Sequence, residues 1–187
     1  MDSITSKLWG DEGLGHYTHQ ESMYLEYLNT AFPEFTGKSV LEIGPGTGLF
    51  AQMLIKKYKI EEYTILDIEK NINDSIDNIK SLTPETTLHP ITSHSFKTTF
   101  NKKYDLIVSN ICIPETPKEY REELLNNIIP NSRYAMIIGQ LTGDWVIGNE
   151  YEVWIKSLFN DNFSDVKCKL TDYKNCYALT GQYKNKK

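Results

Sequence analysis

From residue 38 onward, short apolar runs of β type alternate with helix-length amphipathic stretches, the pattern of a sheet covered by helices. Ser39–Ile43 is the first run; a glycine turn follows, and the apolar spacing predicts a helix from Leu49 to about Tyr58. A second run, Tyr63–Asp67, precedes a helix over Lys70–Lys80, where Ile72, Ile76 and Ile79 recur at helical spacing. A weaker third strand lies near Thr87–Ile91, and the strongest apolar run, Tyr104–Ser109, follows a polar loop. Pro117 sits where a helix tolerates proline, in the first turn, and predicts a helix over Lys118–Ile129 that ends before Pro130. Arg133–Gln140 reads as a fifth strand and Glu150–Phe159 as a last helix. Val166–Thr171 and Cys176–Tyr183 alternate apolar and polar residues on either side of Asp172–Asn175, which predicts an antiparallel hairpin.

Five β/α units closed by a hairpin give an α/β fold, a Rossmann-like three-layer sandwich about a mostly parallel, seven-stranded sheet with one antiparallel strand. Right-handed crossovers leave few other topologies. No repeat, low-complexity tract or long linker divides the sequence, so residues 1–187 read as one domain, with 38–187 as its core. Residues 1–37, with a helix from about Thr18 to Ala31, are expected outside that core as an N-terminal arm. They are placed to act as a lid over the mouth of a site.

Composition narrows the partners. Lys and Arg total 20 against 25 acidic residues, a net charge of −5, which lacks the electrostatic footprint of a nucleic-acid binder. Cys112, Cys168 and Cys176 are too few and too scattered for a disulfide framework or a zinc site, so no metal is assigned. The first residues lack a basic segment followed by an apolar run, and no stretch approaches the roughly 18 to 20 apolar residues of a membrane span. The chain therefore reads as soluble and cytoplasmic, with neither nucleic acid nor membrane as a partner.

The chemistry begins at the glycine turn. Gly44, Gly46 and Gly48 follow directly on a strand and open a helix, where glycine permits a tight turn, close approach of backbone to ligand, and close helix–strand packing. Asp67 ends the second strand, 19 residues after Gly48, where a carboxylate can accept both ribose hydroxyls of a nucleoside ligand. A dinucleotide site is the serious rival. That fingerprint spaces its glycines Gly-x-Gly-x-x-Gly and sets a pyrophosphate on the helix N-terminus. Here Phe50 stands near the place of a small third residue, and Glu42 lies two positions before the first glycine. A carboxylate there repels pyrophosphate and suits a ligand that carries a sulfonium and an amine.

Val40-Leu-Glu-Ile-Gly-Pro-Gly-Thr-Gly-Leu-Phe50 resembles the first motif of class I S-adenosylmethionine-dependent methyltransferases, and Tyr63-Thr-Ile-Leu-Asp67 their second. The resemblance spans residues 38 to about 183 and implies the strand order 3-2-1-4-5-7-6. It implies S-adenosylmethionine as cofactor and S-adenosylhomocysteine as product. Glu42, Gly44 and Gly46 would then surround the methionine part, Pro45 and Gly48 would also line the cofactor, Asp67 would hold the ribose, and Ile68 would pack on the adenine. Many relatives place an acidic residue after the third strand to meet the adenine amino group. This chain offers Thr92-Ser-His94 instead, so His94 or a backbone amide takes that contact.

In an open α/β sheet, ligands bind beyond the carboxyl ends of the strands where strand order reverses, which puts Asn110 and Glu115 beside the transferred methyl group. The loop after Ser109 is neither Asn-Pro-Pro-Tyr nor Asp-Pro-Pro-Tyr, the signature of methylation at amino groups of bases or glutamine. The stretch Tyr104–Tyr120 instead resembles sugar O-methyltransferases found with polysaccharide-building enzymes, so a nucleotide sugar or glycan is the expected acceptor. A hydroxyl nucleophile benefits from a general base within reach. Histidine, with a pKa near neutrality, favours His16 or His19 in the glycine- and aromatic-rich arm Trp9–Glu21, with Glu115 as the other candidate. Trp9 or Tyr17 would wall the site, and Gln140 or Asp144 would contact substrate. A divalent cation could be held by Asp144, Glu115 and His94, although no tight ligand spacing marks it. Methylation of another small metabolite or a protein side chain, and a non-catalytic adaptor that keeps the cofactor site, are the competing readings.

Overall fold

A computed structural model of the chain describes residues 19–93, 102–110, 112–140, 157, 159, 161–170 and 176–184. Residues 19–31 form helix α1. The core elements follow as β1 (Ser39–Ile43), α2 (Leu49–Tyr58), β2 (Glu62–Asp67), α3 (Glu69–Leu82), β3 (Thr87–Thr92) and β4 (Tyr104–Asn110). Then come α4 (Cys112–Glu115), α5 (Lys118–Glu123), β5 (Ser132–Gln140), β6 (Phe163–Leu170) and β7 (Cys176–Tyr183). The seven strands form one sheet in the order β3-β2-β1-β4-β5-β7-β6. β1 to β5 run parallel, and β7 is antiparallel to both its neighbours. The α/β class, the strand order and the single reversed strand are as the sequence predicts.

Alternation along the strands divides the interior into two layers. Val40, Tyr63, Ile65, Leu106, Val108, Met136 and Ile138 face α1, α2 and α3. Leu41, Ile43, Ile107, Ala135 and Ile137 face Ile113 of α4 and the Leu124–Ile129 segment. The central strands β1 and β4 are buried on both faces, which explains their continuous apolar runs. Their carboxyl ends lie side by side, Ile43 opposite Ser109, and so Gly44 and Asn110 emerge together where the strand order reverses.

Three local expectations change. The helix over 118–129 is α only through Glu123; a π turn at Leu124–Ile128 and a 3-10 turn at Ile129–Asn131 complete it, with Pro130 inside that last turn. Widening and then tightening the helix keeps Leu124, Leu125, Ile128 and Ile129 all buried against the sheet. β6 starts at Phe163, ahead of the expected Val166, because a register break between Ser164 and Lys167, with Asp165 left-handed at φ 52°, interrupts the alternation. The helix at 19–31, expected outside the core, is part of it. Tyr24, Tyr27 and Leu28 join the cluster of Phe50, Leu54 and Val40, with Tyr24 edge-on to Phe50 at 6.2 Å. The predicted helix over 150–159 and the hairpin turn at 172–175 lie largely or wholly outside the described residues.

Leu28 is fully buried. Leu28→Ala is therefore expected to cost about 2–5 kcal/mol by removing buried methyl groups and leaving a cavity. A drop in the urea midpoint with an unchanged slope would register it, and an unchanged midpoint would show that α1 does not share the core.

Candidate functional site

The turn after β1 is built from three left-handed residues, Gly44 at φ 73°, Gly46 at 57° and Gly48 at 77°. Gly44 N–H donates to the Leu66 carbonyl at 2.9 Å, tying the start of the turn to the end of β2, and Gly48 N–H closes it on the Pro45 carbonyl at 2.9 Å. Gly48 caps α2. The other glycines differ in what they face. A Cβ on Gly44 would stand 2.3 Å from Cys112 Cβ, so the turn packs directly on α4, whereas a Cβ on Gly46 would meet nothing within 4 Å. Gly46 thus presents bare backbone to open space.

α3 fixes the turn from the other side. Ser75 Oγ donates to the Gly46 carbonyl at 2.6 Å, and Asn78 Nδ2 to the Thr47 carbonyl at 3.0 Å. Gln52 Nε2 of α2 in turn holds the Asn78 carbonyl at 2.8 Å. Two peptide units of the turn are held by side chains before any ligand arrives, which lowers the ordering cost of binding.

Glu42, two residues before Gly44, points to the α1–α3 side of the sheet and is completely buried. Tyr63 OH donates to its Oε2 at 2.7 Å, and Asn110 Nδ2 to its Oε1 at 3.4 Å. Burial pushes the Glu42 carboxyl up to about 8 from 4.5; the Tyr63 hydrogen bond resists, and the charges of Glu21 and Asp67 add to the rise. Asp67 ends β2 with Oδ1 accepting from Ile68 N–H at 2.6 Å and Asn71 Nδ2 at 3.2 Å. Burial raises its pKa as well, against those bonds and one from Gly46 N–H. That last bond joins the glycine turn to the acid of the second motif. Glu42, Gly44, Pro45, Gly46, Gly48, Asp67 and Asn110 therefore converge at the carboxyl ends of β1, β2 and β4. Ile68 follows Asp67 with 51% of its surface exposed.

The remaining predicted residues are less well placed or lie beyond view. His19 opens the described part of α1 and is exposed. Glu115 falls on α4 and Gln140 ends β5, with only their backbone described. His16, His94 and Asp144, with Trp9 and Tyr17, lie outside the described residues.

Four residues escaped the sequence reading: Glu21, Tyr63, Ser75 and Asn78. Ser75 had a signal, being a polar residue between Ile72 and Ile79 on the apolar stripe of α3. Tyr63 and Glu21 had none, since their roles depend on which strand and helix lie alongside. Burial raises the Glu21 carboxyl to about 7, its own backbone amide opposing.

A family model described as a methyltransferase small domain matches residues 22–177. No curated protein matches the chain. Among solved structures, the methyltransferase domain of a bacterial CtHen1 is similar at TM-score 0.66 and 14% identity, over 89% of this chain and 98% of that one. A Nostoc punctiforme protein described as an O-methyltransferase is similar at TM-score 0.68 and 14% identity, over 92% of this chain but 58% of its own. Magnesium protoporphyrin IX methyltransferase from Synechocystis, solved with S-adenosylhomocysteine bound, is similar at TM-score 0.67 and 13% identity, over 98% and 89% of the two chains.

The buried carboxyl of Glu42 makes a pH prediction for the unliganded protein. A folded pKa near 8 against 4.5 means that the native state holds the proton more tightly, so its contribution to stability is complete below about pH 4.5 and is lost as pH rises through 8. Thermal midpoints measured from pH 5 to 9 should fall toward the alkaline end, and Glu42→Gln should flatten the decline. Parallel curves for the two proteins would refute the burial argument.

Proposed function

The chain belongs to the methyltransferase small domain family, and from that premise we propose that it methylates a hydroxyl group of a small molecule, with a sugar as the acceptor. The enzyme is an S-adenosylmethionine-dependent methyltransferase, and its residues fit that cofactor. Gly46 offers bare backbone against open space, Glu42 supplies a buried carboxyl for a cationic group, and Asp67 stands at the end of β2 for ribose hydroxyls. Gly44, Pro45 and Gly48 complete the wall around the methionine part, and exposed Ile68 gives the adenine an apolar face. His94 remains the expected contact for the adenine amino group. When bound, S-adenosylmethionine supplies an electrophilic methyl group on a positively charged sulfur.

One observation carries the choice of a hydroxyl acceptor. Asn110 leaves β4 at the switch point with its Nδ2 committed to Glu42 and its Oδ1 buried without a hydrogen-bond partner. A carbonyl oxygen with no donor suits an incoming O–H or N–H and would orient the acceptor's lone pair for attack; the loop that follows favours the hydroxyl. The chain then turns into α4 through Cys112-Ile-Pro-Glu115, without the Pro-Pro-Tyr sequence that accompanies amino-group methylation. The likeness of Tyr104–Tyr120 to sugar O-methyltransferases points the same way.

As the new C–O bond forms, the hydroxyl proton must leave. His19 stands at the start of the described part of α1, exposed and able to receive it. His16 and Glu115 are the alternatives, and the arm before residue 19 is our proposed lid over the reaction.

A methyl-transfer assay over nucleotide sugars and glycans, with the product mapped by NMR, should find one methyl group on a sugar oxygen. Methylation only at nitrogen or carbon would overturn the acceptor, and failure to bind S-adenosylhomocysteine would leave a different function for the fold. Asn110→Ala should lower kcat by about 10²-fold while the affinity for S-adenosylhomocysteine changes only a few-fold. Gly46→Ala separates fold from site. Its left-handed backbone costs about 1–2 kcal/mol, with open space around the new methyl group. The protein should fold, yet bind S-adenosylhomocysteine at least about tenfold more weakly.

A further inference from the structure

Glu21 lies near the start of α1, one turn before Tyr24, and Tyr24 packs against Phe50 in the first turn after the glycine cradle. Gln20 and Tyr24, both buried and hydrogen-bonded to each other, fix this end of α1. One Glu21 oxygen is engaged by the residue's own backbone amide; the other, Oε2, is buried with no hydrogen-bond partner. A buried acceptor left without a donor is costly and marks a place where something else supplies the donor. Glu42 lies on the same face of β1 as Val40, which packs with Tyr24 and Leu28 of α1, so Glu21 of α1 stands on the side of the sheet to which Glu42 points, and its charge adds to the rise at Glu42.

We infer that Glu21 is a second acidic residue of the cofactor site and shares with Glu42 the α-ammonium group of the methionine part; this rests on the methyl-donor reading above. The groups that act on the pair are Tyr63 and Asp67 of β2, with Asn110 of β4 bonded to Glu42. No lysine or arginine acts on either carboxyl among the described residues. Nor, among those residues, does any group of three His, Cys, Asp or Glu side chains stand close enough to hold a metal ion. The cation that the methyl-donor reading brings to this place is the ammonium group of the methionine part. Burial holds Glu21 near 7 and Glu42 near 8, so near neutrality one or both carry a proton. Arrival of an ammonium group favours the charged carboxylates and expels those protons to solvent.

Calorimetry with S-adenosylhomocysteine, which keeps the ammonium group, tests this without turnover. Titrations at pH 7 in buffers of different ionisation enthalpy count the protons released. The wild-type protein should release a measurable fraction of a proton, and Glu21→Gln less, with affinity roughly tenfold weaker. From pH 8.5 down to 6, wild-type affinity should fall more steeply than that of Glu21→Gln, each proton adding about tenfold per pH unit. A thermal midpoint close to wild type certifies that the variant is folded, and Glu21→Ala serves if the glutamine variant is not. Unchanged affinity and proton count in a folded variant would overturn the inference. So would intact binding with lost turnover, which would assign Glu21 to the acceptor. Failure of the wild-type protein itself to bind S-adenosylhomocysteine would instead overturn the donor reading.

Discussion

A carboxyl group set in the middle of a parallel sheet loses its water on every side, and its ionised form is held there only if hydrogen bonds or a positive charge replace that water. Glu42 is such a group, in β1 at the centre of the order β3-β2-β1-β4-β5-β7-β6. Its surroundings are arranged around this demand. Tyr63 from β2 and Asn110 from β4 reach it from the two neighbouring strands, α1 packs against Val40 on the same face of β1, and the chain leaves β1 two residues later through a turn that only glycine adopts without strain. The two hydrogen bonds hold the carboxyl in place without neutralising it. The site is thus tensioned toward a cation, and the architecture that positions it is shared by every element of the central sheet.

Much of the fold was legible because its signals are local and backbone-based. A strand buried on both faces reads as an unbroken apolar run, as in Leu106–Val108, and an amphipathic helix shows its stripe, as in Ile72, Ile76 and Ile79. The misreadings share a cause. β6 hides its first residues because a bulge at Asp165 breaks the two-residue period. The 118–131 segment changes helical pitch twice, which no fixed period detects. In α1 the apolar stripe announces a helix but not its partner; that Tyr24 meets Phe50 is a tertiary fact.

The site divides along the same line. Gly44, Gly46, Gly48 and Asp67 could be found because their requirements are written into conformation and spacing: positive φ and an acid at a strand end. Glu42 stood out as a charge inside a strand. Glu21 and Tyr63 carry no such mark. Each is ordinary where it stands: Tyr63 meets Glu42 only when the sheet assembles, and the role we propose for Glu21 depends on how α1 packs. Ser75 and Asn78 lie between these cases, polar residues on or beside the apolar face of α3 whose hydrogen bonds hold the carbonyls of the glycine turn.

The choice between two nucleoside ligands shows what electrostatics adds to conformation. A glycine turn at a helix N-terminus, followed by an acid at the next strand end, serves a dinucleotide and a sulfonium nucleoside alike, because both bring a ribose and both need bare backbone nearby. What separates them is charge. A pyrophosphate would have to settle near Glu42, with Glu21 and Asp67 acting on the same carboxyl and, among the described residues, no lysine or arginine acting on it. Burial is the main reason that all three carboxyls are raised, and at Glu42 the charges of Glu21 and Asp67 add to it. A ligand with an ammonium and a sulfonium would meet attraction from these carboxylates where a pyrophosphate meets repulsion. In our proposal the turn that binds anions elsewhere serves a cation because acids stand beside it, and that arrangement requires the sheet to be assembled around Glu42 first.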